Sequence, residues 1–290
     1  MIVEHDAPVV IAGMGPVGCG ITRLLAAAGT PPVALIDPSP SETAHAFGIS
    51  LHASITHTLV PTRGVLVLAV PDRVLDQVVA QCAPLLGETD DLLIVHTSGA
   101  RGAAVLAPLR RRTVHVAMFH PAQSFPHSEL PLERLRGVTC GIEAEASLLP
   151  RLDALAARLS WHPVHLHADR IPLYHAACVL TGNVLPAIML AAEQMLASSL
   201  ASSGDAQPRH AFDPMTASVL AELMQHDAAA SITGPTRRAE LDTIAAHMDA
   251  IRESHPELLD FYTAASALIA RFAPLDDARR DALLRLLASR

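Results

Sequence analysis

Short apolar runs and helical segments alternate along the first part of the chain. The apolar runs have the length and composition of strands buried in a parallel sheet, and they occupy residues 9–12, 33–36, 65–70, 92–95, 113–118, 138–142 and 163–166, with a further strand predicted at 54–59. Helical patterns fill intervals at 41–47, 72–86, 103–109 and 146–159. Strands that alternate with helices predict an α/β fold with a doubly wound, mostly parallel sheet of the Rossmann type.

After about residue 168 the strand-like runs stop. Alanine- and leucine-rich helical periodicity continues to the end and predicts helices at 171–199, 213–230, 235–254, 256–272 and 275–289. The pattern therefore predicts two domains, an α/β domain over residues 1–168 and an all-helical domain over residues 169–290.

The first apolar run leads directly into a glycine-rich turn. The turn reads Gly13-Met14-Gly15-Pro16-Val17-Gly18, a helical segment follows, and the next apolar run ends on Asp37. In this layout the glycines permit the tight turn and a close approach of backbone N–H groups to a pyrophosphate at the helix N-terminus. The alternative is a purely structural glycine turn, but strand, helix and acid together favour a dinucleotide-binding unit.

Asp37 also indicates which dinucleotide is bound. A carboxylate at this place accepts hydrogen bonds from the adenosine ribose and repels a 2′-phosphate. No arginine follows within residues 38–50 to neutralise such a phosphate, although Ser39 and Ser41 leave NADP possible. The sequence favours NAD as the cofactor over NADP.

Composition narrows the class of partner and the choice of catalytic group. Half of the 290 residues are hydrophobic, 3% are aromatic, and the formal net charge is −8, which argues against a nucleic-acid partner. All 21 residues counted as lysine or arginine are arginine. Because the chain contains no lysine, a proton partner for hydride transfer has to be another residue, and histidine is the obvious one.

Other features indicate a soluble cytoplasmic protein that does not enter a membrane. Four scattered cysteines without a CxxC pair are typical of a reducing compartment. The acidic N-terminus does not resemble a signal peptide, and the longest apolar stretch, 176–192, is interrupted by Asn183 and Pro186. The spacing of His162, His165 and His167 is explained by alternation on an edge strand, so no metal site is predicted.

Ligands of open α/β sheets bind outside the carboxyl ends of the strands. Residues at these ends include Val70, Pro71, Ser98 and His120. We expect Val70, Pro71 and Ser98 to contact the cofactor. His120 is the candidate acid/base, with a structural hydrogen bond as the alternative, and Ser98 orients the imidazole or binds the substrate oxygen, unless it only caps a helix.

Polar residues within the apolar helices are the second group of candidates. This group comprises Tyr174, His175, Asn183, Thr233, Arg237, Arg238 and His247. A polar amide is costly inside an apolar helix unless it is paired, so Asn183 binds substrate or nicotinamide, or makes a helix–helix bond. Arg238 either clamps a substrate carboxylate or lies solvated on its helix.

Four motifs occur in order along the chain: 96–99 (HTSG), 119–125 (FHPAQSF), 174–177 (YHAA) with Asn183, and 233–238 (TGPTRR) with His247. Together they resemble a bacterial family that pairs a Rossmann-like domain with a helical domain of unassigned function and is often grouped with deazaflavin-dependent NADP oxidoreductases. The resemblance implies a 6-phosphogluconate-dehydrogenase-like architecture, dimeric through the helical domain.

A more distant resemblance concerns prephenate dehydrogenases, whose serine and catalytic histidine are spaced like Ser98 and His120. It implies that these two side chains contact the oxidised hydroxyl and that an arginine binds a carboxylate. One departure from the first family is that Arg238 precedes Ala239-Glu240 instead of Gly-Asp.

The sequence thus predicts an NAD(P)-dependent oxidoreductase. Its substrate is a small carboxylate-bearing hydroxy, keto, amino or imino compound. The predicted roles are proton transfer for His120 and Ser98, carboxylate binding for Arg238, and orientation for Asn183 and Tyr174. The competing hypothesis is a catalytically silent dinucleotide-binding sensor or scaffold.

Overall fold

The computed structural model describes residues 7–200 and 210–289. The chain forms two compact units, Met1–Asn183 and Val184–Arg290, and each is described by itself. Residues 169–183, which the sequence pattern assigns to the helical domain, group with the first unit.

The first unit is built on a sheet of eight strands in the order β3-β2-β1-β4-β5-β6-β7-β8. Neighbouring strands are parallel except β6 and β7, which are antiparallel. The strands are β1 Val9–Ala12, β2 Ala34–Ile36, β3 Leu51–His52, β4 Arg63–Leu68, β5 Asp91–His96, β6 Val114–Pro121, β7 Thr139–Glu143 and β8 His162–His165. The predicted doubly wound, mostly parallel sheet is confirmed.

Helices cover both faces of this sheet. They are α1 Pro16–Ala27, α2 Glu42–Ala46, α3 Asp72–Cys82, α4 Leu132–Leu135, α5 Leu149–Arg158 and α6 Ile171–Val179. Successive residues of a strand point to opposite faces, so Val65 and Val67 join one buried cluster while Leu66 and Leu68 join the other. Burial on both faces explains the continuous apolar runs of the sequence.

One local prediction in this unit was wrong, and another was confirmed with a tighter helix type. The segment 54–59 is not a strand, because β3 pairs with β2 only at 51–52, and the chain then turns through a 3-10 helix at His57–Leu59. Ile55 and Leu59 pack on the sheet face instead of extending its edge. The helix predicted at 103–109 is present as a 3-10 helix, and it contains Pro108, which lacks the N–H that a regular α-helix needs.

The second unit is helical throughout its described residues. Its α-helices are α7 Leu185–Ser199, α8 Asp213–Gln225, α9 Ala228–Ser231, α10 Pro235–Arg238, α11 Leu241–Ser254, α12 Leu259–Phe272 and α13 Asp277–Ala288. Buried Ile244, Met248, Ala270 and Leu283 form the core between α11, α12 and α13. In contrast, α8 has no buried residue.

Three of the predicted helices are interrupted. A π-helical turn at Leu180–Val184 separates α6 from α7, and α8 ends at Gln225 before the short helix α9 begins. The predicted helix at 235–254 breaks at Ala239, whose φ of +51° is left-handed. Arg238 therefore ends a short helix instead of beginning a long one.

One helical segment of the described residues, Ala168–Ser199, is long and apolar enough to cross a membrane, and 6% of its most apolar 18-residue stretch is buried. The sequence-based expectation that the apolar stretch at 176–192 is too short is therefore not supported by length alone. Core and interface helices of soluble proteins pass the same test, so the segment does not by itself place the protein in a membrane.

Candidate functional site

The glycine turn between β1 and α1 is built around two close backbone contacts. Gly13 has a φ of +99°, and a Cβ atom there would lie 2.3 Å from the carbonyl oxygen of Ala69. A Cβ on Gly18 would lie 1.9 Å from the carbonyl oxygen of Gly13. A Cβ on Gly15 would meet nothing within 4 Å. Gly13 and Gly18 therefore shape the turn, whereas Gly15 leaves open space at the N-terminus of α1.

This N-terminus has the properties of an anion site. Gly15 is the N-cap of α1, and no side chain caps the helix. The N–H groups of the first helical turn have no partner within the helix, and the helix dipole adds partial positive charge. The turn is thus able to bind a diphosphate.

Asp37 follows β2 and is held by the backbone on both sides. Its Oδ2 accepts the N–H of Met14 at 2.7 Å, and its Oδ1 accepts the N–H of Ser39 at 2.8 Å. A carboxylate oxygen has two lone pairs, so each oxygen can accept a second hydrogen bond. The two backbone contacts fix the carboxylate in the wall of a cavity, with acceptor capacity left over.

A cavity of about 890 Å³ extends from the glycine turn along the carboxyl ends of the strands. Its volume is in the range of sites for cofactors and drug-sized ligands. Eight of the predicted cofactor residues line it: Gly13, Gly15, Pro16, Val17, Asp37, Val70, Pro71 and Ser98. The other two, Met14 and Gly18, are buried, and each supports the turn.

Ser98 lies at the other end of the cavity from Asp37, just after β5. Its residue is 6% exposed, and its Oγ atom has no hydrogen-bond partner within the described residues. A buried polar group without a partner costs about 1–3 kcal/mol. The hydroxyl therefore has its full hydrogen-bonding capacity left for a molecule in the cavity.

His96 holds the loop that carries Ser98. The imidazole is fully buried, its Nδ1 accepts the N–H of Ser98 at 3.2 Å, and its Nε2 lies 3.2 Å from the carbonyl oxygen of Gly102. Since Nδ1 is an acceptor, the proton is on Nε2 and is donated to Gly102. Burial lowers the pKa of His96 to about 4, so the ring is neutral at physiological pH. Sequence reasoning placed His96 in a motif but gave it no role.

His120 is on β6, behind the loop at 97–99. Its Nδ1 is 2.8 Å from Oη of Tyr174 on α6, which brings two of the predicted site residues together. Burial, and then the neighbouring His175, lower the pKa of His120 to about 4. Burial and the adjacent Cys178 thiol raise the pKa of the Tyr174 phenol. Both groups are therefore neutral in the folded protein.

Gly99 separates His120 from a second imidazole, that of His175. A Cβ on Gly99 would lie 2.6 Å from His120 Nε2 and 2.8 Å from His175 Cδ2. The two ring centroids are 6.3 Å apart, with an interplanar angle of 78°. His175 lines the cavity together with Ser98 and Gly99, whereas His120 is not among the lining residues. The motif at 174–177 contains this signal, but its spacing does not show which ring faces the cavity.

Two other predicted site residues have surroundings different from those expected. Asn183 is exposed, in the π-helical turn, so the expected cost of burying its amide does not arise. In the second unit Arg238 is exposed, and its Nε donates to Oε1 of Glu240 at 2.6 Å. In the same unit, His247 Nδ1 lies 2.8 Å from Oη of Tyr262.

Two family models match separate parts of the chain. Residues 41–121 match the family model of a Rossmann-like domain, and residues 138–269 match that of a domain of unknown function, DUF2520. The predicted pairing of a Rossmann-like domain with a helical domain of unassigned function is confirmed. A comparison with curated protein sequences gives no match.

Solved structures show the same architecture. A protein from Thermotoga maritima is 19% identical, with a TM-score of 0.71 over 91% of this chain and 98% of that one. A protein from Bacteroides fragilis, whose name proposes an NADP oxidoreductase, is 20% identical, with a TM-score of 0.68 over 91% and 98%. Prephenate dehydrogenase from Aquifex aeolicus, in complex with hydroxyphenyl propionate and NAD+, is 15% identical, with a TM-score of 0.55 over 89% and 96%. At these identities the comparisons establish the fold.

Proposed function

We propose that the protein is an NAD(P)-dependent oxidoreductase. The observation that carries this proposal is the unpaired, buried Ser98 hydroxyl at the end of a cavity that begins at a glycine turn. The open space at Gly15 and the uncapped N-terminus of α1 fit a diphosphate, and the fixed Asp37 carboxylate fits the adenosine ribose. A bound nicotinamide would supply or accept the hydride.

The protein's own groups supply the rest of the chemistry. Ser98 binds a substrate oxygen or the nicotinamide amide at the end of the cavity where we place the nicotinamide ring. Proton transfer belongs to the histidines there, of which His120 is the one favoured by its sequence position. Tyr174 orients His120 through their hydrogen bond.

The proposed substrate is a small carboxylate-bearing hydroxy, keto, amino or imino compound. The guanidinium of Arg238 pairs with the substrate carboxylate. To do so it releases Glu240, its present partner, and an exposed ion pair of this kind is weak. The exposed amide of Asn183 is a further contact for the substrate. The prephenate dehydrogenase of similar fold was solved with NAD+ and hydroxyphenyl propionate, which is a carboxylate. That ligand supports a carboxylate-bearing substrate for this protein.

The experiment that tests the function measures nucleotide binding and turnover separately. We expect NADH fluorescence to change on titration with the protein, and we expect NADH to be oxidised by a member of a panel of 2-keto acids, offered with and without ammonium. Binding without turnover across the panel would favour the sensor hypothesis. Absence of binding by both NADH and NADPH would rule out both hypotheses.

Substitution of Asp37 tests the cofactor preference. We expect the natural protein to bind NADH more tightly than NADPH, because the Asp37 carboxylate repels a 2′-phosphate. In Asp37→Asn the side chain keeps its shape and one acceptor oxygen but loses its charge. The ratio of the two dissociation constants is expected to shift toward NADPH by about tenfold, equivalent to about 1.4 kcal/mol.

The control for this substitution is thermal unfolding, since Asp37 also accepts two backbone N–H groups. An unchanged NADH:NADPH ratio in a variant that folds normally would contradict the assigned role of Asp37.

We further propose a soluble, cytoplasmic homodimer that associates through the helical unit. The support is the exposed apolar surface of α8, whose residues Met215, Val219, Leu220, Leu223 and Met224 are 37–87% exposed. Large apolar patches on a soluble monomer are rare and mark interaction sites. A second copy accounts for such a surface on a helix that otherwise has no buried face.

Leu223→Glu tests this interface. We expect the natural protein to elute at about twice its chain mass of 30.7 kDa, as a symmetric dimer does. The buried charge in Leu223→Glu should shift the equilibrium toward the monomer. Light scattering after size exclusion measures both, and Arg285→Glu on α13 is the matched control.

A monomeric natural protein would exclude the dimer. If the protein instead sedimented together with anionic lipid vesicles, its exposed apolar helices would be interpreted as a membrane-binding surface.

A further inference from the structure

Two imidazoles with different surroundings lie near Ser98: the ring of His175 lines the cavity, whereas the ring of His120 lies next to Gly99 and does not line it. His120 is bonded through Nδ1 to Tyr174, and its Nε2 faces Gly99. The His175 ring makes no hydrogen bond or ion pair within the part of the chain that the structure describes, and it lines the cavity next to Ser98. An unpaired imidazole beside an unpaired hydroxyl, in the wall of one cavity, is an arrangement that a ligand would complete.

We propose that His175 is the residue that contacts the substrate and exchanges a proton with it, and that His120 is a positioning residue that acts through His175. This inference rests on the proposed oxidoreductase function. Gly99 is the contact between the two rings, because only a residue without a Cβ fits between His120 Nε2 and His175 Cδ2.

The protonation state of His120 agrees with this division. A proton donor works best when its pKa is near the working pH, and burial leaves the pKa of His120 at about 4. The tyrosine on its other nitrogen fixes the orientation of the ring. His120 is thus suited to hold a neighbour in place, whereas the His175 ring is the one that a molecule in the cavity can contact.

For a keto acid, the proposed reaction is reduction of the ketone to a hydroxyl group. A bound reduced nicotinamide would supply the hydride to the carbonyl carbon and be oxidised, and the electron pair of the C=O bond would move to the oxygen. That oxygen takes a proton from the His175 imidazolium, so the ketone becomes a hydroxyl and the imidazole becomes neutral. The proton that His175 gives up is replaced from solvent.

The first test uses diethyl pyrocarbonate, which acylates unprotonated imidazoles, and requires no substrate. Modification rates of individual histidines are read by mass spectrometry on the full-length protein, with the exposed His162 on β8 as internal control. At NAD+ concentrations of about ten times Kd, we expect the rate at His175 to fall about tenfold, since a site is then about nine-tenths occupied. The rate at His162 should stay unchanged.

ADP-ribose, which lacks the nicotinamide, should protect His175 less than NAD+ does. If NADH fluorescence shows binding but His175 is modified at the same rate with and without NAD+, the proposal is wrong while the oxidoreductase function stands. If neither nucleotide binds, the proposed function fails first.

The second test is turnover of a keto acid that the natural protein reduces. His175→Asn is expected to lower kcat by about 10²- to 10⁴-fold, the usual contribution of a general acid or base, with the NADH dissociation constant within twofold of normal. In His175→Gly, added imidazole should restore part of the activity, which a structural role would not allow.

For His120→Asn we expect a smaller loss and no rescue by imidazole. If His175→Asn kept more than half of the natural kcat while His120→Asn lost activity, proton exchange would be assigned to His120 and the proposal would be wrong. His162→Asn is the matched control.

Discussion

Gly18→Ala is expected to lower the free energy of unfolding by about 3 kcal/mol, the upper end of the usual cost of overpacking. The added methyl group would lie 1.9 Å from the carbonyl oxygen of Gly13, and this oxygen belongs to backbone that cannot rotate away. Relief of the clash requires α1 to move off the end of β1. The same movement would distort the turn, so dinucleotide binding should be lost as well.

Gly15→Ala is the matched control in the same turn. A methyl group there meets no protein atom within 4 Å, so the unfolding free energy should change by less than about 0.5 kcal/mol. The methyl group would, however, occupy space assigned to the diphosphate, and we expect NADH binding to weaken at least about tenfold, or 1.4 kcal/mol. Chemical unfolding and NADH titration of both variants give the two quantities independently.

The two glycines thus separate the structural requirement of the turn from the requirement of the ligand. Normal stability and normal NADH affinity in Gly15→Ala would show that nothing binds at the N-terminus of α1. Normal stability in Gly18→Ala would show that α1 does not pack as the structure has it.

The sequence predicted what depends on local pattern. Apolar runs located seven of the eight strands, most of them because a strand covered on both faces needs apolar side chains, although β8 is exposed along its length. The glycine turn and Asp37 were recognised because their spacing is fixed by the turn geometry itself. Ser98 and His120 were selected as candidates because the ends of neighbouring parallel strands meet at one edge of the sheet.

The remainder depends on contacts between residues distant in sequence. The spacing of Tyr174 and His175 cannot show that the tyrosine reaches His120 while the adjacent histidine faces the cavity. The role of His96 follows from burial of its ring against the loop at 98–102, which periodicity does not show. The break at Ala239, which places Arg238 at a helix end, required a left-handed residue that composition does not indicate.

Acid sensitivity is the second large effect that we expect, and it comes from His96, which is buried, and His120, which is partly buried. Burial lowers the pKa of His96 and of His120 from 6.5 to about 4. Between these values the unfolded chain binds a proton that the native ring does not, so stability falls as the pH falls. Each histidine contributes a few kcal/mol at most, at about 1.4 kcal/mol per pH unit between the two pKa values. This stability is fully present above pH 6.5 and is lost progressively as the pH falls to about 4.

The measurement is the free energy of unfolding at several values between pH 7 and pH 4.5, compared between variants so that the titration of carboxylates cancels. His96→Asn should reduce the slope of stability against pH, although the variant is less stable at pH 7, where two hydrogen bonds of the ring are altered. His162→Asn, at an exposed position, should leave the slope unchanged. An equal slope in His96→Asn and the natural protein would mean that the ring is protonated in the folded state, and the hydrogen bond it accepts from Ser98 would then have to be abandoned.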